Sequence, residues 1–315
     1  MNFPAHPSSA LALVWLALAC ASPPPTKSAG ATQRAPTVVI APAPSQVQPE
    51  PTVPKGRSCG ALECLSFDHA EDAIDYVVTL KRPRVLAVGE IHVQRDLTLK
   101  SSTTKRFAEL VPRFKGRAKH LVIELWTGRN DCGDKRVEKV QEAQKPVTSA
   151  QNATNQNDFV ALGTVAKSNG ITPHALVPTC EDYAQILAAQ SDDIAKMLEL
   201  TATKTVEVVN GLLTHDNGTS SEPFIISYGG AMHNDVSPRP GLESFSFASK
   251  LIESTQGRYV ELDLIQREQV RDSESFTRQA WYPYFRAETL EKHYTLYQTG
   301  PSSFALIFPQ QEDLP

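Results

Sequence analysis

The sequence predicts an α/β fold, with a mostly parallel sheet, helices on both of its faces and a single domain. Two observations lead to this prediction. Short apolar runs of strand length alternate along the chain with longer segments whose apolar residues recur at helical spacing. Two of the apolar runs also end in the same pattern, Gly-x-x-His. The alternation is typical of a parallel sheet covered on both sides, and the repeated pattern places chemically capable side chains at strand ends.

The first twenty residues predict an export signal that is not part of the fold. Residues 10–19 form an apolar run that is too short to span a membrane and fits the core of a signal peptide. The run ends at residues 16–20 (LALAC), which resemble a bacterial lipobox, whose cysteine is lipidated and becomes the mature N-terminus. The alternatives are a plain signal peptide cut nearby and a misassigned start codon. We expect a lipoprotein of the bacterial cell envelope, anchored in the outer membrane through Cys20 and facing the periplasm or the exterior.

The segment 21–57 predicts a disordered tether between this anchor and the folded domain, 58–315. It is rich in proline, alanine, serine, threonine and glutamine, a composition that buries too little apolar surface to order itself. The net charge argues against one class of function. With a net charge of -4 over 315 residues, the chain is not expected to have the basic surface of a general nucleic-acid binder.

The first part of the domain predicts two helices and two strands. Apolar residues at helical spacing predict a helix over 67–80, which Pro83 terminates. A buried strand follows over 84–88. A helix is predicted over 97–114, with aromatic and aliphatic residues on one face, and a second strand over 120–125.

The second part begins with a long polar segment, 127–157, that leaves the end of the second strand. A long insertion at such a place is either disordered or a lid over a site, and we favour the lid. Gly170 is predicted to follow the C-cap of a helix. The remaining predictions are helices over 158–169, 181–213 and 242–255, and strands over 171–177, 224–228, 258–265 and 304–308.

The cysteines indicate an oxidising compartment. Without Cys20, four cysteines remain, an even number that permits three pairings. We favour Cys59 with Cys64, because that spacing closes a small loop, and Cys132 with Cys180, because both follow predicted strands. A zinc site is the alternative, but the chain has no C-x-x-C pair, so structural disulfides are the favoured interpretation.

The main candidate site lies at the end of the strand 84–88, where Gly89-Glu90-Ile91-His92 follows. Glycine suits such a position because it allows positive φ and lets another group approach the backbone closely. Glu90 and His92 are two residues apart, so both side chains point the same way if the strand continues. They are candidate catalytic residues and metal ligands.

The second copy of the pattern follows the strand 224–228 and ends at His233. In open α/β sheets, ligands bind beyond the carboxyl ends of the strands, so His92 and His233 are expected to converge on one site. A single histidine at a strand end is more often structural, whereas two in matching contexts favour function. Tyr228 is a candidate cofactor-binding or oxyanion-binding residue, or only an aromatic residue of the strand. Asp235 is a candidate for orienting an imidazole.

Glu124 is the fourth candidate, because it is an acid inside the apolar strand 120–125. An unpaired buried carboxylate is costly, so it should have a metal, an arginine or a hydrogen-bond donor nearby. A structural salt bridge with Arg95 or Arg129 is the alternative. Two imidazoles and two carboxylates would suit zinc, manganese, cobalt or iron rather than calcium. The remaining histidines of the predicted domain are assigned structural or solvent-facing roles: His69, His120, His174, His215 and His293.

At these motifs the sequence resembles the superfamily of Tiki metalloproteases, TraB-like proteins, erythromycin esterases and ChaN-type haem-binding lipoproteins. The resemblance rests on 89–92 (GEIH), Glu124 and 230–233 (GAMH), and it extends over about 65–309. It implies an α/β sheet with the active cleft at these motifs, and either metal-dependent or histidine-based hydrolysis or haem binding. The ChaN-type pattern continues with an aspartate and a further histidine, where this chain has 93–96 (VQRD).

The resulting functional hypothesis is an exported, lipid-anchored hydrolase of peptidase or esterase type, acting on a small-molecule or peptide substrate. Glu90, His92, Glu124 and His233 are its expected catalytic residues, with or without a divalent metal. The alternative is a lipoprotein that binds haem or another iron-containing ligand without turnover. A scaffold without either activity is the third possibility, disfavoured because buried carboxylates without a task cost stability. Serine-histidine-aspartate hydrolysis is not favoured, because no G-x-S-x-G motif is present.

Overall fold

The protein is described by a computed structural model that covers residues 54–60, 62–97, 99–128, 132–148, 151–152, 154–214, 223–285 and 292–310. The predicted signal peptide, Cys20 and residues 21–53 of the predicted tether lie outside these residues. None of the described helices is long and apolar enough to cross a membrane.

One sheet of nine strands organises the described residues. Its spatial order is β1-β2-β8-β9-β7-β3-β6-β4-β5. The six strands from β9 to β5 are parallel, whereas β8, β2 and β1 extend one edge with antiparallel pairing. The strands are β1 (Arg57–Ser58), β2 (Cys64–Phe67), β3 (Val85–Glu90), β4 (Ala118–Trp126), β5 (Thr172–Leu176), β6 (Phe224–Gly230), β7 (Tyr259–Gln266), β8 (Tyr294–Gly300) and β9 (Ser303–Phe308).

Helices cover both faces of this sheet, so the predicted α/β class is confirmed. Alternation along β3 sends Leu86 and Val88 to one face, against α1, α2 and α4, and sends Val85 and Ala87 to the other, against α6 and α8. The helices are α1 (Ala70–Lys81), α2 (Thr103–Leu110), α3 (Asp134–Thr148), α4 (Asn155–Ser168), α5 (Cys180–Ala188), α6 (Asp193–Thr214), α7 (Ala231–Asn234), α8 (Ala248–Ser254) and α9 (Glu274–Thr277).

The two central strands extend further than the sequence predicted. β3 does not end at Val88 but continues through Gly89 to Glu90, and β6 continues through Gly229 to Gly230. The cause is their mutual pairing, because Gly89 lies opposite Gly229 and Glu90 lies opposite Gly230 in the parallel register. The motif glycines are therefore the last residues of the strands and not the turns that follow them.

Several predicted helices were too long. The segment 67–80 begins as strand at Phe67, and the helix starts at Ala70. Within the predicted helix 97–114, α2 begins only at Thr103. The predicted helix 242–255 consists of a short 3-10 turn followed by α8. The predicted helix 181–213 is broken into α5 and α6, since Gln190 has a φ of 53°. Gly170 follows the C-cap of α4 with a φ of 78°, as predicted.

The long polar insertion is helical in part rather than irregular. Its charged stretch forms α3, and Val140 of that helix packs in a small core with residues of α5 and α6. The far end of the insertion returns to the sheet beside the candidate site, where Asn152 N and Asn155 Nδ2 both donate to Val93 O, at 2.8 and 3.3 Å. The described part of the insertion is therefore fastened at both ends.

Both predicted disulfides are present. Cys59 is joined to Cys64 and Cys132 to Cys180, with Cα–Cα distances of 5.3 and 5.1 Å. The first closes a loop of five residues, and the second spans 48 residues and ties the start of the insertion to α5. Because a longer closed loop restricts the unfolded chain more, the second bond should contribute more to stability.

We expect the double substitution Cys132→Ser and Cys180→Ser to lower the free energy of unfolding by about 2–4 kcal/mol. The matched control is Cys59→Ser with Cys64→Ser, whose five-residue loop should cost about half as much. Urea denaturation of the unsubstituted protein and of both double variants measures the two losses. Equal losses would contradict the loop-length argument.

Candidate functional site

Three neighbouring strands bring the predicted site residues to one edge of the sheet. β3, β6 and β4 are adjacent and parallel, so their carboxyl ends lie side by side. β3 contributes Glu90 and the following His92, β4 contributes Glu124, and β6 leads into α7, which holds His233. The structure thus brings together the four residues predicted to be catalytic.

Glu90 and His92 form the first imidazole–carboxylate pair, on the face of the sheet that carries α2. His92 Nδ1 lies 2.9 Å from Glu90 Oε1. The other carboxylate oxygen, Oε2, accepts from Thr104 Oγ1 at 2.7 Å and from the Tyr228 hydroxyl. Glu90 is only 4% exposed, and these three contacts supply the partners that a buried carboxylate needs.

The hydroxyl group of Tyr228 is therefore engaged by Glu90. Its ring stacks on Phe107 at 4.7 Å between centroids, and the residue is fully buried. Burial, followed by the charge of Glu90, holds the pKa of Tyr228 well above its usual value, so the hydroxyl stays protonated and donates.

Glu124 and His233 form the second pair, on the α6 face of the sheet. His233 Nε2 lies 3.4 Å from Glu124 Oε1, and Gly230 N donates to Glu124 Oε2 at 2.6 Å. His233 Nδ1 is 2.6 Å from Phe245 O, an atom that only accepts, so Nδ1 carries a proton. The predicted orienting residue, Asp235, instead accepts from Ser237 N. The Phe245 carbonyl orients His233, a role that only the folded chain reveals.

The two pairs meet at Gly230. A Cβ placed on this glycine would lie 3.2 Å from His92 Nε2 and 3.5 Å from Glu124 Oε2. A Cβ on Gly229 would lie 2.7 Å from the Cβ of Glu124 and would overlap its carboxylate. Of the two reasons for the motif glycines, only close approach applies here, because neither Gly229 nor Gly230 has a positive φ.

Their mutual charges determine the protonation states of the pairs. Burial alone would lower the pKa of His92, but the hydrogen bond and charge of Glu90, with the charge of Glu124, raise it to about 9. Burial would raise the pKa of Glu124, but His233, His92 and the Gly230 amide lower it to about 2. His233 is buried too, and the charge and hydrogen bond of Glu124 raise its pKa above 6.5. Near neutral pH, His92 is a cation and Glu124 an anion.

A second acidic group lies behind α7, and the sequence prediction missed it. Glu261 and Asp263 lie on one face of β7, where they alternate with apolar residues of the predicted strand 258–265. Both faces of β7 are in fact covered, and Glu261 is 6% exposed. Burial, the neighbouring carboxylate and Asp235 raise the pKa of Glu261 to about 8; burial and Asp235 raise that of Asp263 to about 7.

The other histidines among the described residues lie away from the two pairs. His120 Nδ1 and His174 Nε2 are 3.0 Å apart on the neighbouring strands β4 and β5, in agreement with a structural role. His293 lies beside Asp68 and Arg57 near the antiparallel edge. His215 and Arg129 are outside the described residues.

As arranged, the site does not provide a ready metal centre. Both oxygens of Glu90 accept hydrogen bonds, and both nitrogens of His233 face a protein oxygen. Among the described residues, no group of three or more His, Cys, Asp and Glu side chains is placed to hold a metal ion. The donor set has the composition that zinc or iron would accept, but ligation would require these contacts to rearrange.

Comparisons with known proteins add no functional assignment. No protein-family model and no curated protein matches the chain. A solved structure described as the type III effector HopBA1 aligns with 81% of this chain and 100% of its own, with 9% identity and a TM-score of 0.38. A likeness of that size supports no inference about function.

We expect Gly229→Ala to disrupt the second pair, because the added methyl group would overlap Glu124. The variant should lose about 1–3 kcal/mol of stability, the usual cost of overpacking. Gly211→Ala is the matched control, since a Cβ there meets nothing within 4 Å on α6, and alanine in a helix should stabilise by up to about 1 kcal/mol. Thermal unfolding compares the two variants. A neutral Gly229→Ala would show that Glu124 has room to move.

Proposed function

We propose that this protein is a hydrolase in which the two imidazole–carboxylate pairs act as general acid and general base. The observation that carries this proposal is that His92 Nε2 and Glu124 Oε2 both approach the position where a side chain on residue 230 would begin. Acid–base hydrolysis requires a group that donates a proton and a group that attracts one, both beside the same open position. A protonated imidazole and an ionised carboxylate meet this requirement. Ester and amide bonds of a small molecule or peptide are the proposed substrates.

His92 is the proposed general acid. Its Nδ1 is engaged by Glu90, and its Nε2, which has no hydrogen-bond partner among the described residues, faces the space above Gly230. Since the pKa of His92 is raised to about 9, the ring is protonated at neutral pH and able to donate from Nε2. Glu90 in turn holds the ring in orientation, supported by Thr104 and Tyr228.

The Glu124–His233 pair is the proposed general base. When His233 Nε2 is unprotonated, it accepts a proton from a water molecule as the water oxygen attacks the substrate carbonyl carbon. Glu124, which stays ionised, stabilises the imidazolium that forms. His92 then gives its proton to the leaving oxygen or nitrogen as the bond to carbon breaks. Exchange of one proton with solvent at each ring restores the starting state.

The two raised histidine pKa values predict a bell-shaped pH dependence of turnover. Activity should rise as the pH passes the pKa of His233, above 6.5, because the base must be neutral. It should fall as the pH passes about 9, because His92 then loses the proton it must donate. His92→Gln and His233→Gln should each lower kcat by roughly a hundredfold or more.

Hydrolysis of p-nitrophenyl acetate and of a mixed fluorogenic peptide library by the full chain tests this. His69→Gln is the matched control, because this exposed histidine precedes α1 far from the site in sequence. Retained turnover in either site variant would overturn the assignment, as would loss of turnover in the control. Turnover confined to one probe would identify the bond class.

Metal-dependent hydrolysis by the same four residues is the second proposal, supported by their mixed nitrogen and oxygen donors. Elemental analysis of protein purified without chelator distinguishes the two. Near-stoichiometric zinc, manganese, cobalt or iron that disappears in both His92→Ala and His233→Ala would replace the metal-free mechanism. Haem or iron-ligand binding without turnover is the remaining alternative. A Soret band on haemin titration that is lost in those variants, in a protein inactive on both probes, would support it.

We also propose that the domain is held at the bacterial cell envelope by lipid on Cys20. The apolar run before Cys20, the proline-rich tether after it and the two disulfides support export and anchoring. Expression in bacteria with radiolabelled palmitate should label the full chain and place it in the membrane fraction. Cys20→Ser should abolish labelling and release the protein, whereas an unlabelled wild-type chain would contradict lipidation.

A further inference from the structure

His233 lies on α7, a helix of only four residues that depends on its surroundings for its position. Contacts from three other segments hold it. Phe247 N donates to His233 O at 2.9 Å, and the Tyr259 hydroxyl donates to Asn234 O at 2.7 Å. The third contact joins α7 to β3 and β7 through the side chain of Asn234, the residue next to the proposed base.

The Asn234 amide joins α7 to two strands at once. Its Nδ2 donates to Ala87 O of β3 at 3.2 Å and to Asp263 Oδ1 of β7 at 3.1 Å. The Ala87 carbonyl only accepts, so the orientation of the amide group is fixed. Asn234 is 2% exposed, and a buried amide with two such acceptors cannot shift without losing both hydrogen bonds.

The backbone of β3 leaves room for this arrangement only because residue 89 is glycine. A Cβ there would lie 2.7 Å from Asn234 Nδ2 and 2.8 Å from the Cα of Ala231, and it would overlap Asp263. Gly89, the first residue of the first motif, thus leaves the space that Asn234 occupies beside His233, the last residue of the second motif.

We propose that Asn234, held by Asp263 and by the carbonyl of Ala87, is the positioning residue that keeps His233 aligned with Glu124. This inference rests on the proposed function of His233 as a base, and Asn234 itself touches no substrate.

The position of α7 should depend on pH, because two buried acids accept hydrogen bonds from this segment. Glu261 Oε2 accepts from Val236 N at 3.3 Å, so both carboxylates contact the segment that includes α7. The groups that face them are Asp235 from that segment, Gly89 from β3 and Ser303 from β9, and α8 presents Lys250 and Glu253 to solvent. Hydrogen bonds from Asn234, Val236 and Ser303 favour the ionised acids, but burial outweighs them. Among the facing groups only exposed Lys250 is cationic, so ionising both acids places two negative charges that repel each other beneath α7.

The sign follows from the raised pKa values. A carboxyl group with a raised pKa binds its proton more tightly in the folded state, so its contribution favours folding at low pH and is lost as the pH rises through 7 to 8. Asp263→Asn mimics the protonated acid permanently and still offers an oxygen to Asn234. It should hold α7 equally at pH 6 and pH 8.5.

The test uses nuclear magnetic resonance of the His233 ring in the full chain, because this readout does not require a known substrate. The wild-type Nδ1–H, hydrogen-bonded to Phe245 O, should give a protected signal at pH 6 that exchanges faster as the pH rises to 8.5. In Asn234→Ala the signal should be lost at both pH values. In Asp263→Asn it should persist at both. Asn169→Ala is the matched control, since that side chain donates only to Val165 O at the end of α4.

A protected His233 signal in Asn234→Ala would overturn the positioning role. The same pH dependence in Asp263→Asn as in the wild type would overturn the role of the acid pair, and this isosteric variant decides the matter if Asn234→Ala does not fold. Where turnover is found, Asn234→Ala should lower kcat by roughly tenfold to a hundredfold with KM nearly unchanged. The expected ring signals in a protein without hydrolytic activity would support the positioning role and count against the proposed function alone.

Discussion

The site depends on the absence of side chains at the ends of two central strands. Gly89, Gly229 and Gly230 lie opposite one another or in succession where β3 and β6 end, and each of them is approached by an ionisable or amide group that a Cβ would displace. A parallel sheet normally fills such positions with apolar residues that separate its two faces. Here the separation is lost at the carboxyl edge, so groups from both faces reach the same point. These glycines thus leave space for the neighbouring groups. The sequence motif shows that glycine is present, but only the structure shows which groups use the space.

Buried charge at this edge is accommodated in two ways. On the site side, each carboxylate has an imidazole beside it, so the pair as a whole carries little net charge. Behind α7, Glu261 and Asp263 have no such cation, and the same burial raises their pKa values instead. The first arrangement keeps His92 protonated and Glu124 ionised near neutral pH, whereas the second places the titration of both acids close to neutral pH. Asn234 connects the two, since it is adjacent to His233 in the chain and hydrogen-bonded to Asp263.

The sequence predicted the α/β class, the central strands and the four residues at the edge, because these depend on local apolar runs and on a repeated motif. It failed where the outcome depended on partners distant in the chain. The strand character of Gly89 and Gly230 comes from the pairing of β3 with β6, and the break at Gln190 follows no proline or glycine. The strand 304–308 was predicted and is β9, but its antiparallel partner β8 was not, because the segment 294–300 shows no clear alternation of apolar and polar residues. The alternation in β7 does not reveal that α7 and the turn after it cover the side that carries Glu261 and Asp263.

The different surroundings of the two histidines argue for different roles. His92 follows a strand, is anchored through one ring nitrogen and presents the other toward Gly230. His233 is almost fully buried and has a protein oxygen at each nitrogen. A group that must meet a substrate needs an accessible atom, which His92 has. A group that passes a proton to and from a water molecule needs a partner that keeps its charge stabilised, which Glu124 supplies to His233. The matching motifs in the sequence suggest equivalent residues, but the fold places the two histidines on opposite faces of the sheet, in agreement with the complementary roles proposed for them.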